Sequence, residues 1–302
     1  MSKVIVTGGA GFIGSNLVDK LIEDGDEVVV IDNLSTGKKE NINPRAKFIE
    51  ADITNLEQIK PHFAGIDYVF HCAALPRVQV SIEDPLTTHQ VNVSGTLNVL
   101  LASRDAKVRR LVYSASSSAY GNVDKMPLTE DILPKPMSPY GAQKYFGEHY
   151  VRLFSLLYGL ETVSLRYFNV YGPRMAFSGA YVTVIAVFLQ QKKEGKKLTI
   201  TGDGTQTRDF TYIDDVVRAN ILAATGEKVG RGEVINIGAG NNQTVSEVAA
   251  MIGGETQNIL PRVEPHDTLA DIAQARALLG WQPETDFESG IKKTIQWFNS
   301  LG

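Results

Sequence analysis

The segment Lys3–Leu17, KVIVTGGAGFIGSNL, runs from an apolar stretch through glycines into residues of helical spacing. Gly8, Gly11 and Gly14 fall where the predicted strand turns into the predicted helix. In that context glycines let the backbone approach a pyrophosphate, whose charge is favoured by the free N–H groups at the start of the helix. The segment therefore predicts a strand and helix that bind a dinucleotide, and a glycine turn without a ligand is the alternative.

A carboxylate follows at the end of the second apolar run, EVVVIDN. Asp32 lies about 20 residues beyond the turn, where a carboxylate can bind the ribose hydroxyls of the nucleotide. Its charge would repel a 2′-phosphate, so the pattern favours NAD over NADP, although Lys38 and Lys39 are close enough to leave NADP open. After the third apolar run, Asp52 and Ile53 are expected to flank the adenine, and a surface role is the alternative for Asp52.

The alternation of apolar runs and helical segments continues to about residue 171. The stretches AKFIEADI, DYVFHCAAL, RRLVYSASS and ETVSLRYFNVYG have the continuous apolar character of parallel strands that are covered on both faces. This pattern predicts an α/β fold, a Rossmann-type doubly wound parallel sheet, as an NAD-binding domain over residues 1–171. Residues 172–302 predict a smaller mixed α/β substrate domain, with some segments returning to the first domain.

Composition excludes several classes of protein. The 302 residues include 43% hydrophobic and 21% charged residues and carry a net charge of -4, which is ordinary for a globular protein and argues against nucleic acid as a partner. The apolar runs are too short for membrane spans, so we expect no membrane partner and a cytoplasmic protein. Cys72 is the single cysteine and the five histidines are scattered, so no metal site is expected.

The segment SPYGAQKYFGEHY, residues 138–150, places a tyrosine and a lysine one helical turn apart. Ser138 is a good N-cap and Pro139 is tolerated at the first helical position, so a helix should begin here. Tyr140 and Lys144 then share a face, and an ammonium beside a phenol lowers the pKa of the phenol towards the range of a general base. A chance pair is the alternative when these two residues are considered alone.

The sequence as a whole resembles the extended short-chain dehydrogenase/reductase family. The similarity covers nearly the whole chain and rests on TGGAGFIG, DNLSTG, SSSAYG, SPYGAQK, RYFNVYGPR and GDGTQTRDFTYIDDV. Within that family these motifs are similar to those of enzymes that invert C4 of UDP-hexoses, either UDP-galactose and UDP-glucose or their N-acetylated counterparts. Another NAD-dependent sugar-nucleotide enzyme and a nucleotide-sensing binding protein are the alternatives.

The resemblance implies a hydride taken from the sugar by NAD and then handed back. Tyr140, as phenolate, is expected to remove the proton of the 4-hydroxyl, Lys144 to keep Tyr140 ionised, and Ser116 to bind the same hydroxyl and relay its proton. A homodimer is expected through the helix after Asn92 and the helix of Tyr140. The residues assigned to the cofactor are Gly8, Gly11, Phe12, Ile13, Gly14, Asp32, Asn33, Asp52, Ile53, Ala73, Asn92, Tyr140, Lys144 and Tyr167.

The same resemblance suggests how the substrate is bound and which sister reactions are absent. Dehydratases of the family carry an acidic pair after the position of Ser116, where this chain has Ser117 and Ser118, so plain epimerisation is favoured. Thr268 is small where galactose-restricted enzymes tend to have tyrosine, which leaves room for an N-acetyl group; a helix cap is the other interpretation of Thr268. The substrate residues are Ser116, Tyr140, Asn169, Tyr181, Arg208, Glu264 and Thr268, and a surface ion pair is the alternative for Arg208.

Overall fold

A computed structural model of the chain describes residues 1–76, 78–123, 125–177, 183–260 and 265–301. Its centre is a seven-stranded sheet of order β3-β2-β1-β4-β5-β6-β9, in which every neighbouring pair is parallel. The strands of the chain are β1 (Lys3–Thr7), β2 (Glu27–Asp32), β3 (Lys47–Glu50), β4 (Tyr68–His71), β5 (Arg110–Ser116), β6 (Glu161–Tyr167), β7 (Leu198–Thr201), β8 (Thr207–Arg208), β9 (Arg231–Ile237), β10 (Gln243–Thr244) and β11 (Thr256–Ile259).

Helices cover both faces of the sheet. They are α1 (Phe12–Glu23), α2 (Leu56–Ile59), α3 (Val78–Glu83), α4 (Pro85–His89), α5 (Thr96–Asp105), α6 (Pro139–Tyr158), α7 (Val184–Lys193), α8 (Ile213–Thr225), α9 (Val245–Ile252) and α10 (Phe287–Asn299). Along β1, Val4 and Val6 enter one buried apolar cluster and Ile5 enters another, because successive strand residues point to opposite faces. The predicted doubly wound fold is confirmed. Within the described ranges, none of these helices is both long and apolar enough to cross a bilayer.

The later part of the chain contributes to two kinds of structure. Strand β9 pairs with β6 and so extends the central sheet, whereas β8 pairs with β10 and β7 with β11 in small two-stranded sheets. Residues beyond 171 therefore belong partly to the central sheet and partly to a mixed region beside it. The boundary at residue 171 stays a prediction, as does the cytoplasmic location.

Two helical segments contain π-helical turns. The helix expected after Asn92 begins earlier, at Pro85, where Asp84 caps it by accepting from the Thr87 amide at 3.0 Å. It then widens into a π-helical stretch over Gln90–Gly95 before continuing as α5. The segment Ala275–Leu279 is π-helical as well and ends at Gly280. Side-chain periodicity of 3.6 does not distinguish a π turn from an α turn over so few residues.

Candidate functional site

One cavity of about 630 Å³ lies along the carboxyl ends of the parallel strands. Its wall follows the sheet order, from Asp32 at the end of β2 to Gly8 after β1, Ala73 after β4, Ser116 at the end of β5 and Asn169 after β6. In open parallel sheets, ligands bind at this edge where the strand order reverses, here between β1 and β4. The cavity is therefore where the fold predicts a nucleotide.

The glycine turn between β1 and α1 is built for close backbone contact. Gly8 has φ +73°, and a Cβ there would lie 2.6 Å from the amide nitrogen of Ala73; a Cβ on Gly14 would lie 2.2 Å from the Gly8 carbonyl oxygen. Helix α1 starts after Gly11 without a side-chain cap and without an acidic residue in its first turn. Its first N–H groups are therefore free to bind an anion, and this cradle fits a pyrophosphate.

The Asp32 carboxylate is held in place at the edge of the cavity. It accepts hydrogen bonds from the amides of Ala10 at 3.0 Å and Leu34 at 2.8 Å, and it is almost fully buried. A carboxylate has about four acceptor positions, so positions remain for the hydroxyls of a ribose. Asn33 lines the cavity beside it and donates to Asp52 at 2.8 Å. The remaining acceptor positions of Asp32, with Asn33 beside it, fit the NAD expected from the sequence.

Helix α6 carries the tyrosine and lysine as its sequence predicts. Ser138 caps the helix by accepting from the Gly141 amide at 3.1 Å, and Pro139 occupies the first turn. Tyr140 and Ser116 both line the cavity, and the Ser116 side chain lowers the pKa of Tyr140. Lys144 lies one turn further on, 4% exposed, with its Nζ donating to the Ser114 carbonyl at 2.8 Å. The structure therefore brings Tyr140 and Ser116 together in the wall and places Lys144 directly behind it.

The environment of this pair does not make Tyr140 acidic. Burial raises the pKa of Tyr140 to about 12, and the hydrogen bond with Ser116 offsets only part of that rise. Burial also lowers the pKa of Lys144 to about 8, against the opposing influence of Cys72 and Glu148. Desolvation disfavours the charged form of both groups in the protein by itself. The role of Lys144 in keeping Tyr140 ionised stays a prediction.

The substrate end of the cavity is built from three separated segments. Asn169 donates through Nδ2 to the Asp209 carbonyl at 2.9 Å and to the Thr268 hydroxyl at 3.4 Å. The Thr268 hydroxyl also accepts from the Asp209 amide at 3.3 Å, and Arg208 lines the same wall. The helix-cap interpretation of Thr268 is wrong, because its hydroxyl faces these residues and Asp271 accepts from the Ala273 amide instead.

Most of the residues predicted from the sequence line the cavity, with a few exceptions. Asn92 is buried, and its amide group bonds the Leu75 backbone and the Gln143 side chain instead of facing the cavity. Asp52 supports Asn33 from outside the wall. Tyr181 and Glu264 lie outside the described residues. The predicted residues that line the cavity are Gly8, Gly11, Phe12, Ile13, Gly14, Asp32, Asn33, Ile53, Ala73, Ser116, Tyr140, Tyr167, Asn169, Arg208 and Thr268.

The histidine that ends β4 and the cysteine that follows it have surroundings that suit a structural role. His71 is fully buried between the hydroxyls of Thr7 at 2.7 Å and Thr96 at 2.9 Å, and burial lowers its pKa to about 3, so it is neutral. Cys72 lines the cavity, but burial raises the pKa of its thiol, which disfavours the reactive thiolate. Among the described residues, no three or more His, Cys, Asp or Glu side chains are grouped as a metal site requires.

Asp209 is a residue that the sequence reasoning missed. Its carboxylate is fully buried and accepts from the amides of Ala239 at 2.6 Å, Gly240 at 3.1 Å and Ala270 at 3.0 Å, while burial raises its pKa to about 6. It thereby ties two distant loops to the strand end that carries Arg208. In the sequence, Asp209 stands only as a possible ion-pair partner of Arg208, and no local pattern marks contacts to residues 30 and 61 positions away.

Solved structures of high similarity exist for the whole chain. A UDP-glucose 4-epimerase from Thermotoga maritima, solved with UDP-glucose, is 40% identical with a TM-score of 0.95, covering 99% of both chains. A UDP-N-acetylglucosamine 4-epimerase from Methanobrevibacter ruminantium, in complex with UDP-N-acetylmuramic acid, is 36% identical with a TM-score of 0.94, covering 100% of this chain and 99% of the other.

The relatives and the family agree with this similarity. A UDP-glucuronate 4-epimerase from Thermodesulfobacterium geofontis is 36% identical over 98% of this chain and 96% of its own length. Residues 4–238 match the NAD dependent epimerase/dehydratase family, a span that begins in β1 and ends just after β9. The glycine turn, Asp32 and the Tyr140 helix all lie within that match. The chain therefore belongs to the NAD dependent epimerase/dehydratase family.

Proposed function

We propose that this protein interconverts the C4 epimers of a UDP-hexose. One observation carries the proposal: a single cavity joins the glycine turn and Asp32 to the wall formed by Asn169, Arg208 and Thr268. Tyr140 and its partner Ser116 lie on that same cavity. A nucleotide cofactor and a nucleotide sugar can therefore meet at one tyrosine hydroxyl.

NAD is the cofactor, as the family to which the chain belongs requires. The first-turn N–H groups of α1 beside Gly11 would hold its pyrophosphate, and Asp32 would hold its ribose. When bound, NAD supplies hydride acceptance and hydride return at C4 of the sugar. The protein's own part is to orient the sugar and to handle the proton of its 4-hydroxyl.

Tyr140 is the residue we assign to that proton. Tyr140 lines the cavity together with Ser116, so its oxygen can accept the proton of a sugar hydroxyl and later return it. Because burial holds the pKa of Tyr140 near 12, the phenolate has to be favoured by positive charge in or behind the cavity. Lys144 provides one such charge from behind the wall, through an ammonium fixed on the Ser114 carbonyl.

The residues beside Ser116 favour plain epimerisation over dehydration. Eliminating water from C5 and C6 needs an additional acid and base near the sugar. Ser117 and Ser118 line the cavity at this point, and the charged side chains among its described lining residues are those of Asp32 and Arg208. Neither lies beside Ser116 in the strand order, since Asp32 ends β2 and Arg208 lies in β8.

We infer that the sugar is a neutral hexose and that an N-acetyl group at C2 is accepted. Thr268 presents a small side chain on the cavity wall, which supports room for the N-acetyl group. Near Tyr140 the cavity is lined by Met137, which precedes α6, and by Val78 and Ile82 on α3. These apolar side chains offer no positive charge to the carboxylate of a hexuronate. Arg77 lies outside the described residues, so the glucuronate named for one relative is a necessary arm of the test.

The test is an epimerisation assay with UDP-glucose, UDP-galactose, their two N-acetylated counterparts and UDP-glucuronate, each with and without added NAD. We expect turnover of the neutral sugars, and loss of at least about a thousandfold with Tyr140→Phe. Thr268→Tyr should reduce turnover of the N-acetylated pair at least about tenfold more than that of the plain pair, whereas Thr268→Ser should not. A protein that only binds nucleotides would form no epimer of any sugar, and that result would refute the proposal.

We also propose a homodimer through the outer face of α5 and α6. Large apolar side chains on α6 are exposed at Phe146, Leu153, Leu156 and Leu157, with Leu156 74% exposed. Contiguous exposed apolar surface of this kind is characteristic of protein interfaces. The same helix carries Tyr140 on its buried side, so pairing through α6 would hold the helix of the base in place.

A further inference from the structure

The hydroxyl of Ser116 has both of its acceptor positions occupied by one neighbour. Ser116 ends β5 and caps the short helical turn Ser117–Ala119. Its Oγ accepts from the Ser118 amide at 3.2 Å and from the Ser118 hydroxyl at 2.8 Å. A serine hydroxyl has two acceptor lone pairs and one donor hydrogen. Ser116 is therefore left with its hydrogen, and that hydrogen is what it can offer to Tyr140.

We propose that Ser118 is a positioning residue that fixes Ser116 as a hydrogen-bond donor to the Tyr140 oxygen. The inference rests on the proposed function, in which Tyr140 is the base. A donor aimed at the phenolate stabilises it, because hydrogen bonds to an ionised oxygen are stronger than those between neutral groups. Ser118 thus acts on the reaction through Ser116.

This arrangement changes the route of the proton. A relay through Ser116 requires its oxygen to accept from the sugar hydroxyl while its hydrogen passes to Tyr140. The two bonds from Ser118 occupy the positions that such an acceptor needs. The O–H bond of the sugar therefore breaks as the O–H bond of Tyr140 forms, and the hydrogen of Ser116 stays on Ser116 throughout. The relay expected from the family resemblance is replaced by direct transfer.

The turn and the helix are packed too closely for Ser118 to shift easily. A Cβ added to Gly141, in the first turn of α6, would lie 2.6 Å from the Ser118 carbonyl oxygen. The backbone of Ser118 thus rests against the turn that carries Tyr140. This packing limits how far the turn that carries Ser116 and Ser118 can move relative to the start of α6.

The experiment compares Ser118→Val with Ser118→Thr, which have nearly the same shape but differ in the hydroxyl. In both variants the backbone amide of residue 118 can still donate to the Ser116 hydroxyl, so the turn is retained. Turnover is measured from pH 5.5 to 9.5 on the NAD-loaded protein, together with Ser118→Ala, Ser117→Ala and Tyr140→Phe. We expect Ser118→Val and Ser118→Ala to lower kcat about tenfold and to move the acidic midpoint of the profile up by about one pH unit. Ser118→Thr and Ser117→Ala should keep the wild-type midpoint.

A second measurement reads Tyr140 without turnover. In protein carrying ¹³C at the tyrosine Cζ, the resonance missing in Tyr140→Phe identifies Tyr140. Its chemical shift should change in Ser118→Val and stay near the wild-type value in Ser118→Thr. Equal shifts and equal pH midpoints in the valine and threonine variants would overturn the inference. If Tyr140→Phe keeps its turnover, the proposed function fails; if it is inactive while Ser118→Val retains the wild-type midpoint, only the role of Ser118 fails.

Discussion

Replacing Lys144 by methionine should make the protein more stable at neutral pH while abolishing most of its activity. Lys144 is 4% exposed, and burial lowers its pKa from the ordinary 10.5 to about 8. Each pKa unit corresponds to about 1.4 kcal/mol, so carrying the charge in the folded state costs about 3 kcal/mol at pH 7. Methionine fills a similar volume and carries no charge.

Two contacts of Lys144 reduce the expected gain. Its Nζ donates to the Ser114 carbonyl at 2.8 Å and lies 5.0 Å from the centre of the Tyr113 ring. Leaving the carbonyl without that donor costs about 1 kcal/mol. We therefore expect Lys144→Met to raise the free energy of unfolding by about 2 kcal/mol at pH 7.

The stability difference between Lys144→Met and the wild type should depend on pH. Below pH 8 the lysine is charged in both states, so the wild-type protein bears the full cost of the buried charge. Between the folded pKa of about 8 and the ordinary 10.5, the unfolded chain holds more protons than the folded chain, and wild-type stability rises with pH. The advantage of Lys144→Met should therefore shrink as the pH rises from 7 to 10.

Urea unfolding at pH 7 and pH 10, on protein stripped of nucleotide, measures both effects. Lys196→Met is the matched control, because Lys196 is an exposed lysine paired with Glu194, and it should change stability by no more than about 0.5 kcal/mol. A Lys144→Met protein that is less stable than wild type at pH 7, or whose advantage is the same at both pH values, would refute the reasoning. Turnover of the variant should fall at least about a hundredfold.

Two further predictions concern helix α6. Glu148→Gln should lower the free energy of unfolding by at least about 3 kcal/mol, because it leaves Arg166 buried without its bidentate partner, whereas Glu148→Leu combined with Arg166→Met should recover most of that loss in the same urea assay. Leu157→Glu should convert the proposed dimer into a monomer in light-scattering measurements, whereas Leu260→Glu, at an 87% exposed position away from α6, should leave the mass unchanged.

The parts of the site that are local in sequence could be predicted from it. The glycine turn, the carboxylate at the end of β2 and the capped start of α6 each depend on residues within a few positions of one another, so their chemistry is visible in the chain itself. The strand pattern likewise predicted the parallel sheet. These features are set by backbone geometry and capping, which short motifs encode.

The parts that depend on distant contacts could not be predicted. The sequence predicts Asn92 to bind the cofactor, but its side-chain amide is hydrogen-bonded to the Leu75 backbone and to Gln143. These partners lie 17 and 51 positions away in the sequence, so only the folded packing brings them to Asn92. Asp209 collects three amides from two loops far along the chain. The pKa of Tyr140 depends on how deeply the cavity wall is buried, which the spacing of Tyr140 and Lys144 does not reveal.

Helix α6 presents three polar groups at successive turns of its inner side, and their charges do not balance. Tyr140, Lys144 and Glu148 are each four residues apart, and Glu148 is already paired with Arg166 by two hydrogen bonds of 2.8 and 2.7 Å. The Lys144 charge is therefore only partly offset by Glu148, which explains why its pKa lies near 8 despite that neighbour. An uncompensated cation behind the wall is costly for folding but favourable for a phenolate in front of it. Under the proposed function, stability lost at Lys144 and ionisation gained at Tyr140 are two effects of one buried charge, so we expect a variant that removes the charge to raise stability and to lower turnover.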